Sequence, residues 1–143
     1  MNVLTIGTFD RIHVGHLELL NACRDMVGID GTVSVAVNRD AFVERFKGHT
    51  PQPLARRMEM LRALRVVDQV YVNVGDEDAG QVIDAIVPDL LAIGDDWLDP
   101  GRDERRYLAQ LGVTSAWLNE RDLRIVYVPR TRGVSSTELR ALA

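Results

Sequence analysis

Short apolar runs rich in β-branched residues recur along this chain, and each gives way to a stretch of helical spacing. Residues 3–6 (Val3-Leu4-Thr5-Ile6) end at Gly7 and precede 15–26, where Leu17, Leu19, Leu20, Ala22, Cys23 and Met26 recur with a helical period. Residues 32–37 read as a second strand, 54–64 as a helix with Met58, Leu61 and Leu64 on one face, 69–72 as a third strand and 79–86 as a helix. Residues 90–93 (strand), 102–111 (polar helix), 124–128 (strand) and 136–143 (closing helix) complete the series, with 38–53 as a polar loop containing Gly and Pro. Strands that alternate with helices, and that are apolar on both sides, predict a five-stranded parallel sheet with helices on both faces. A length of 143 residues suits one such α/β domain spanning 1–143.

Composition narrows the partners. At 46% hydrophobic and 27% charged residues, the chain matches ordinary globular proteins rather than disordered or fibrous ones. Its formal charge of -4 argues against a nucleic-acid partner, whose binding face should be basic. Cys23 is the single cysteine, which predicts a reducing compartment and excludes an intrachain disulfide. The first residues lack the pattern of a signal peptide, and no apolar stretch approaches bilayer length. A cytoplasmic protein without a membrane partner is the expectation. The charge is also unevenly placed: residues 68–100 hold nine acidic side chains and no basic one, leaving basic segments at 44–67 and from 121 onward. Of the 17 basic residues, all but Lys47 are arginine.

In a doubly wound sheet, ligands sit beyond the carboxyl ends of the strands, which selects 7–16, 38–53, 94–97 and 129–137 for inspection. Gly7-Thr8-Phe9-Asp10-Arg11-Ile12-His13-Val14-Gly15-His16 joins the first strand to the first helix. His13 and His16, three residues apart, share one side of the helix start, where unpaired N–H groups and the dipole favour an anion. Gly15 lets a ligand approach the backbone there, and imidazoles donate to phosphate oxygens as charge shifts. No cysteine or third histidine stands nearby to complete a zinc set. Near the end of the chain, Ser135-Ser136-Thr137-Glu138 has the form of a capping box before a helix. Capping alone does not explain Arg130 and Arg132 around Gly133, whereas a second anion cradle does. Two cradles suit a triphosphate.

The first run resembles the HxGH signature of the nucleotidyltransferase superfamily, in the GTFDxxHxGH form of the cytidylyltransferases and above all of the glycerol-3-phosphate cytidylyltransferase family. Arg130-Thr131-Arg132-Gly133-Val134-Ser135-Ser136-Thr137 resembles that family's RTxGxSTT segment, and Gly94-Asp95-Asp96-Trp97 its GDDW element. The three elements fall in family order across nearly the whole chain. The resemblance implies a Rossmann-like nucleotidyltransferase fold that transfers CMP from CTP to a small phosphorylated acceptor and releases pyrophosphate. It implies that His13, His16, Lys47 and Arg130 act on the phosphates, with Lys47 as the family's mobile loop lysine. Gly7, Thr8, Phe9, Asp10, Gly15, Gly94, Asp95, Asp96, Thr131, Gly133, Ser135, Ser136 and Thr137 would bind the nucleotide, and Arg65 and Trp97 the acceptor. Magnesium would ride on the triphosphate, with no metal site of the protein's own, and the assembly would be a homodimer. Two alternatives stay open: adenylyl transfer from ATP to phosphopantetheine, a flavin or a sugar phosphate, and a nucleotide-binding module without chemistry. The absence of G-x-G-x-x-G after the first strand excludes a nicotinamide dehydrogenase. Residues 114–123, with Trp117 and Arg121, form an insertion relative to the family pattern that would reshape the acceptor pocket or the dimer contact.

Overall fold

The computed structural model describes residues 1–98 and 104–129. Its centre is a parallel sheet of five strands, β1 (Asn2–Gly7), β2 (Thr32–Val37), β3 (Gln69–Val72), β4 (Leu90–Gly94) and β5 (Arg124–Val128), in the order β3-β2-β1-β4-β5. Every pairing is parallel, as two-sided apolar runs require. The chain winds outward from β1 to β3, then returns to the other side of β1 for β4 and β5. The winding therefore reverses between β1 and β4, where a doubly wound sheet opens a crevice at its carboxyl edge.

Alternate residues of each strand feed opposite faces. On one side Leu4, Ile6, Ala36, Leu91 and Ile93 pack against α4 (Gly80–Ile86), α5 (Arg105–Leu111) and α6 (Ser115–Glu120) through Val82, Ile83, Tyr107, Leu111 and Leu118. On the other, Val3, Val33, Val35 and Val37 meet α1 (Val14–Val27) and α3 (Leu54–Arg62) through Leu20, Cys23, Met58 and Leu61. Each such aliphatic side chain contributes roughly 1.5–3 kcal/mol by leaving water. Among the described residues no helix is long and apolar enough to cross a membrane.

Two segments differ from the sequence expectation. The loop expected over 38–53 contains a helix, α2 (Asp40–Lys47). Phe42, Val43 and Phe46 form its apolar stripe, Asp40 suits its first turn, and Gly48, at φ 74°, ends it in the left-handed conformation. Lys47 is thus the last residue of a helix rather than part of a loop. The insertion at 114–123 is α6: Thr114 Oγ1 accepts from Trp117 N at 3.1 Å, Leu118 is buried, and Arg121 lies 3.6 Å over the Trp117 ring while bonding Asp84 at 2.8 Å. It packs beside α4, and none of its residues lines the cleft described below. The expected closing helix over 136–143 and the start of the helix expected over 102–111 lie outside the described residues.

Candidate active site

Past Gly7 the backbone takes a costly path. Phe9 and Arg11, neither of them glycine, have φ of 50° and 53°. Three contacts hold this shape. The Phe9 ring is buried with Val35, Val37 and Leu61. Asp10 Oδ1 accepts from Gln52 N at 3.0 Å. Thr8 O accepts from Arg57 Nη1 at 2.8 Å. Gly7 fits beneath the Phe9 ring, since a Cβ there would stand 3.0 Å from it. Arg57 is 0% exposed and spends its other nitrogens on Gln52 O, at 2.8 Å, and Asp40 Oδ1, at 2.6 Å. One buried guanidinium thereby joins the loop before the histidines to the start of α2 and the approach to α3.

The loop delivers His13 as the N-cap of α1. His13 Nδ1 accepts from Gly15 N at 3.0 Å, and His16 Nδ1 accepts from His13 N at 3.1 Å. This is a capping box in which both side chains are imidazoles. Gly15 N–H is therefore spent on the cap rather than offered to a ligand. The two rings stack with centroids 3.9 Å apart. A neutral imidazole that accepts at Nδ1 carries its proton on Nε2, so each ring is set up as an Nε2–H donor without a lone pair to take a proton. Burial holds the pKa of His16 down to about 4, helped by electrostatic repulsion from His13 and Lys47 that a second proton on the pair would meet and opposed by Asp10.

That shift has a stability consequence. The unfolded value of 6.5 lies above the folded value of about 4, so the unfolded chain takes up a proton first as the pH falls. The contribution is complete above pH 6.5 and is lost on the way down toward 4. His16→Gln keeps an acceptor for the cap. Its urea midpoint is expected to change less with pH than that of the parent over this interval, and equal slopes would contradict a buried neutral His16.

Both rings line a cleft of about 740 Å³ at the carboxyl edge of β1 and β4. Gly7, Thr8, Phe9, Asp10 and Gly15 line it from the β1–α1 loop, and Lys47 from the end of α2. Gly94, Asp96 and Trp97 line it after β4. A Cβ on Gly94 would stand 2.6 Å from Asp96 Oδ1, so a side chain there would displace the Asp96 carboxylate. Trp97 is both wall and packing: the Arg106 guanidinium lies 4.8 Å from its ring centre, and the Tyr107 ring 5.5 Å. Asp95 does not line the cleft, and its carbonyl accepts from Leu98 N at 3.0 Å.

Arg65 stands apart. It is exposed, it does not line the cleft, and it precedes the amino end of β3, whereas the cleft lies at the carboxyl ends. Its neighbours Val66 and Asp68 are bound there by Arg24, near the end of α1. The structure therefore does not bring Arg65 into the cleft beside the other candidate residues. Arg130, Thr131, Gly133, Ser135, Ser136 and Thr137 lie outside the described residues.

The acidic run 76–78 forms an ion-paired turn. Arg39 Nη2 lies 2.7 Å from Asp76 Oδ2, and Arg45 Nη2 lies 2.7 Å from Glu77 Oε1, which ties α2 to the β3–α4 connection. Asn38, within the segment 38–53 that the strand-end rule selects, and Asn73, outside every selected segment, also line the cleft. Each follows directly on a strand, so the same rule applied to the third strand reaches Asn73.

A family model described as cytidylyltransferase-like matches residues 4–142. The chain belongs to the cytidylyltransferase-like family. As a member it is a nucleotidyltransferase of the HxGH superfamily, with the histidine pair of that signature in the cleft. It is similar to the FAD synthase of Methanobrevibacter ruminantium, 32% identical over 78% of this chain and 71% of that one. The FAD synthase of Methanothermobacter thermautotrophicus is 36% identical over 73% of this chain and 70% of its own length. The bifunctional protein HldE of Halorhodospira halophila is 40% identical over 66% of this chain, which spans only 20% of that protein. Among solved structures, a lipopolysaccharide core biosynthesis protein from Thermoplasma volcanium superposes with a TM-score of 0.67 at 24% identity, covering 92% of this chain and 98% of that one. That likeness shows the fold.

Proposed function

We propose that the protein transfers AMP from ATP to flavin mononucleotide, releasing pyrophosphate and forming FAD. The similarity to FAD synthases over more than two thirds of this chain carries the choice of substrates. The cleft supports the reaction class. An oxygen of the acceptor phosphate attacks the α-phosphorus of the triphosphate; that P–O bond forms as the bond to the pyrophosphate oxygen breaks. The acceptor oxygen is already ionised, so no general base is needed. Two imidazoles whose Nδ1 atoms are held by backbone N–H groups suit this task, because they donate to the shifting charge and do not compete for a proton. Lys47 adds a compact positive charge from the end of α2. Arg130 and the segment 133–137 would hold the leaving phosphates. Among the described residues no three His, Cys, Asp or Glu side chains are grouped to hold a metal ion. Magnesium would be carried by the nucleotide phosphates, whose charge it would offset. A homodimer belongs to the same reading and is checked by sedimentation.

A second reading keeps CTP as donor and a glycerol-3-phosphate-like acceptor. The GTFD sequence at Gly7–Asp10 and the Gly94-Asp95-Asp96-Trp97 turn favour it. Pyrophosphate release with each of the four nucleoside triphosphates separates the two, measured with flavin mononucleotide, glycerol-3-phosphate, phosphopantetheine and a sugar phosphate. Release only with ATP and flavin mononucleotide is the expected outcome. Tight nucleotide binding with no release for any pair would instead favour a binding module. In the same assay Lys47→Ala should lower turnover by roughly 10²-fold, the low end for loss of one charge-stabilising donor. Arg62→Ala, on the exposed side of α3, should leave it unchanged. Equal losses would remove Lys47 from the phosphates.

A further inference from the structure

The cleft has two arms. On one side of the histidine pair it passes Gly94, Asp96 and Trp97 beyond β4; on the other it passes Asn38 and Asn73 beyond β2 and β3. The sequence motifs account for the first arm and leave the second unexplained.

Asn73 is 2% exposed. Its Nδ2 donates to Asn38 Oδ1 at 3.0 Å and to Asp76 O at 3.3 Å, which fixes the orientation of the amide. Its Oδ1 is buried and has no hydrogen-bond partner among the described residues. Gln110 Oε1, on the same cleft, is buried and unpartnered in the same way. The two come from elements in close contact. Ala79 N donates to Leu111 O at 2.8 Å, and a Cβ on Gly112 would stand 2.1 Å from Glu77 O. A buried acceptor left without a donor is costly, and its natural explanation is a ligand that completes the bond. Across the arm, Phe46 is 54% exposed and stacks on Phe42 with ring centres 5.6 Å apart. The ion pairs of Arg39 and Arg45 with Asp76 and Glu77 hold its helix to the β3–α4 connection, so wall and floor form one unit.

We infer that this second arm seats the acceptor as a planar heteroaromatic ring, with Phe46 against its face and its N–H edge toward Asn73 Oδ1 and Gln110. Resting on the flavin reading above, the ring is isoalloxazine and the donor its N3–H. Neighbouring carbonyls on that edge suit the amide of Gln110. A glycerol phosphate has no aromatic face and would leave Phe46 bare. The adenine of ATP then takes the arm beyond β4.

Titration of the full chain with flavin mononucleotide, followed by flavin fluorescence, tests the assignment alongside calorimetric titration with ATP. Phe46→Ala is expected to weaken flavin mononucleotide binding about tenfold, as loss of a stacking aromatic does, while changing the Kd for ATP by less than about twofold. Phe46→Tyr should bind as the parent does. The N3-methyl analogue of flavin mononucleotide should bind the parent at least about tenfold more weakly, because it removes the donor to Asn73 Oδ1 and leaves that buried oxygen unpaired. If the parent forms FAD but Phe46→Ala binds flavin mononucleotide normally, the subsite is overturned and the reaction stands. Weakened ATP binding with flavin mononucleotide spared overturns it too, by placing adenine in this arm. A parent that neither binds flavin mononucleotide nor forms FAD overturns the flavin reading itself, and the subsite with it.

Discussion

Replacing His16 with alanine is expected to lower turnover by roughly 10²–10³ while leaving the fold in place, the scale seen when one preorganised donor to a developing negative charge is lost. The size follows from what the ring offers. Its Nδ1 is occupied by His13 N at 3.1 Å, so the proton sits on Nε2, and the ring lines the cleft. A donor held in place costs no reorganisation as charge moves onto the leaving phosphates. Nucleotide affinity should change less than turnover, because this bond strengthens most in the transition state. The capping bond is also lost, costing about 1 kcal/mol, which the packing of Leu20 and Cys23 beneath α1 should absorb. Circular dichroism of the variant should therefore match the parent. His16→Asn or His16→Gln should recover part of the stability and little of the rate. A folded His16→Ala enzyme with parental turnover would remove the histidine pair from the reaction.

Arg57→Met is expected to reduce the unfolding free energy by about 3 kcal/mol, the low end of the range for breaking a buried charged pair. The low end applies because the carboxylate left behind, Asp40, is 43% exposed and finds water readily. What remains buried is the Thr8 carbonyl, and orphaning such a group costs about 1–3 kcal/mol. Arg57→Lys should not repair the defect, since one ammonium does not reproduce a planar fork that reaches three acceptors at once. The neighbouring Arg56→Ala, which loses only an exposed 3.8 Å contact with Glu59, should shift stability by less than about 0.5 kcal/mol. Turnover of Arg57→Met should fall as well, because Phe9 and Arg11 keep their left-handed conformations only while the loop is held. Urea denaturation of the three variants side by side checks the ordering, and a stable Arg57→Met protein would show that the loop is held by other means.

The strands and the histidine pair were legible because their causes are local. A run such as Thr32–Val37 reads as a buried strand from its own residues, and His13 with His16 marks a helix start by spacing alone. Arg57 was not legible. Its partners lie at Thr8, Asp40 and Gln52, far apart in the chain except for the last, and nothing nearby separates it from the exposed Arg56. The helix Asp40–Lys47 was hidden because its charged residues dilute a stripe of three apolar ones, two of them adjacent. Arg65 is not brought to the cleft, for a geometric reason: it follows α3, which runs back across the sheet and ends near the amino end of β3. Asn73 and Gln110 line one cleft because the end of α5 abuts the connection after β3, a contact no local pattern announces.

The central claim is nucleotidyl transfer, and the fate of phosphorus tests it most directly. Incubating the chain with flavin mononucleotide and ATP labelled at either the α- or the γ-phosphate should place the α label in the flavin product and release the γ label as pyrophosphate. Transfer of the γ label to the acceptor, or release of orthophosphate with the α label still in ADP, would contradict it.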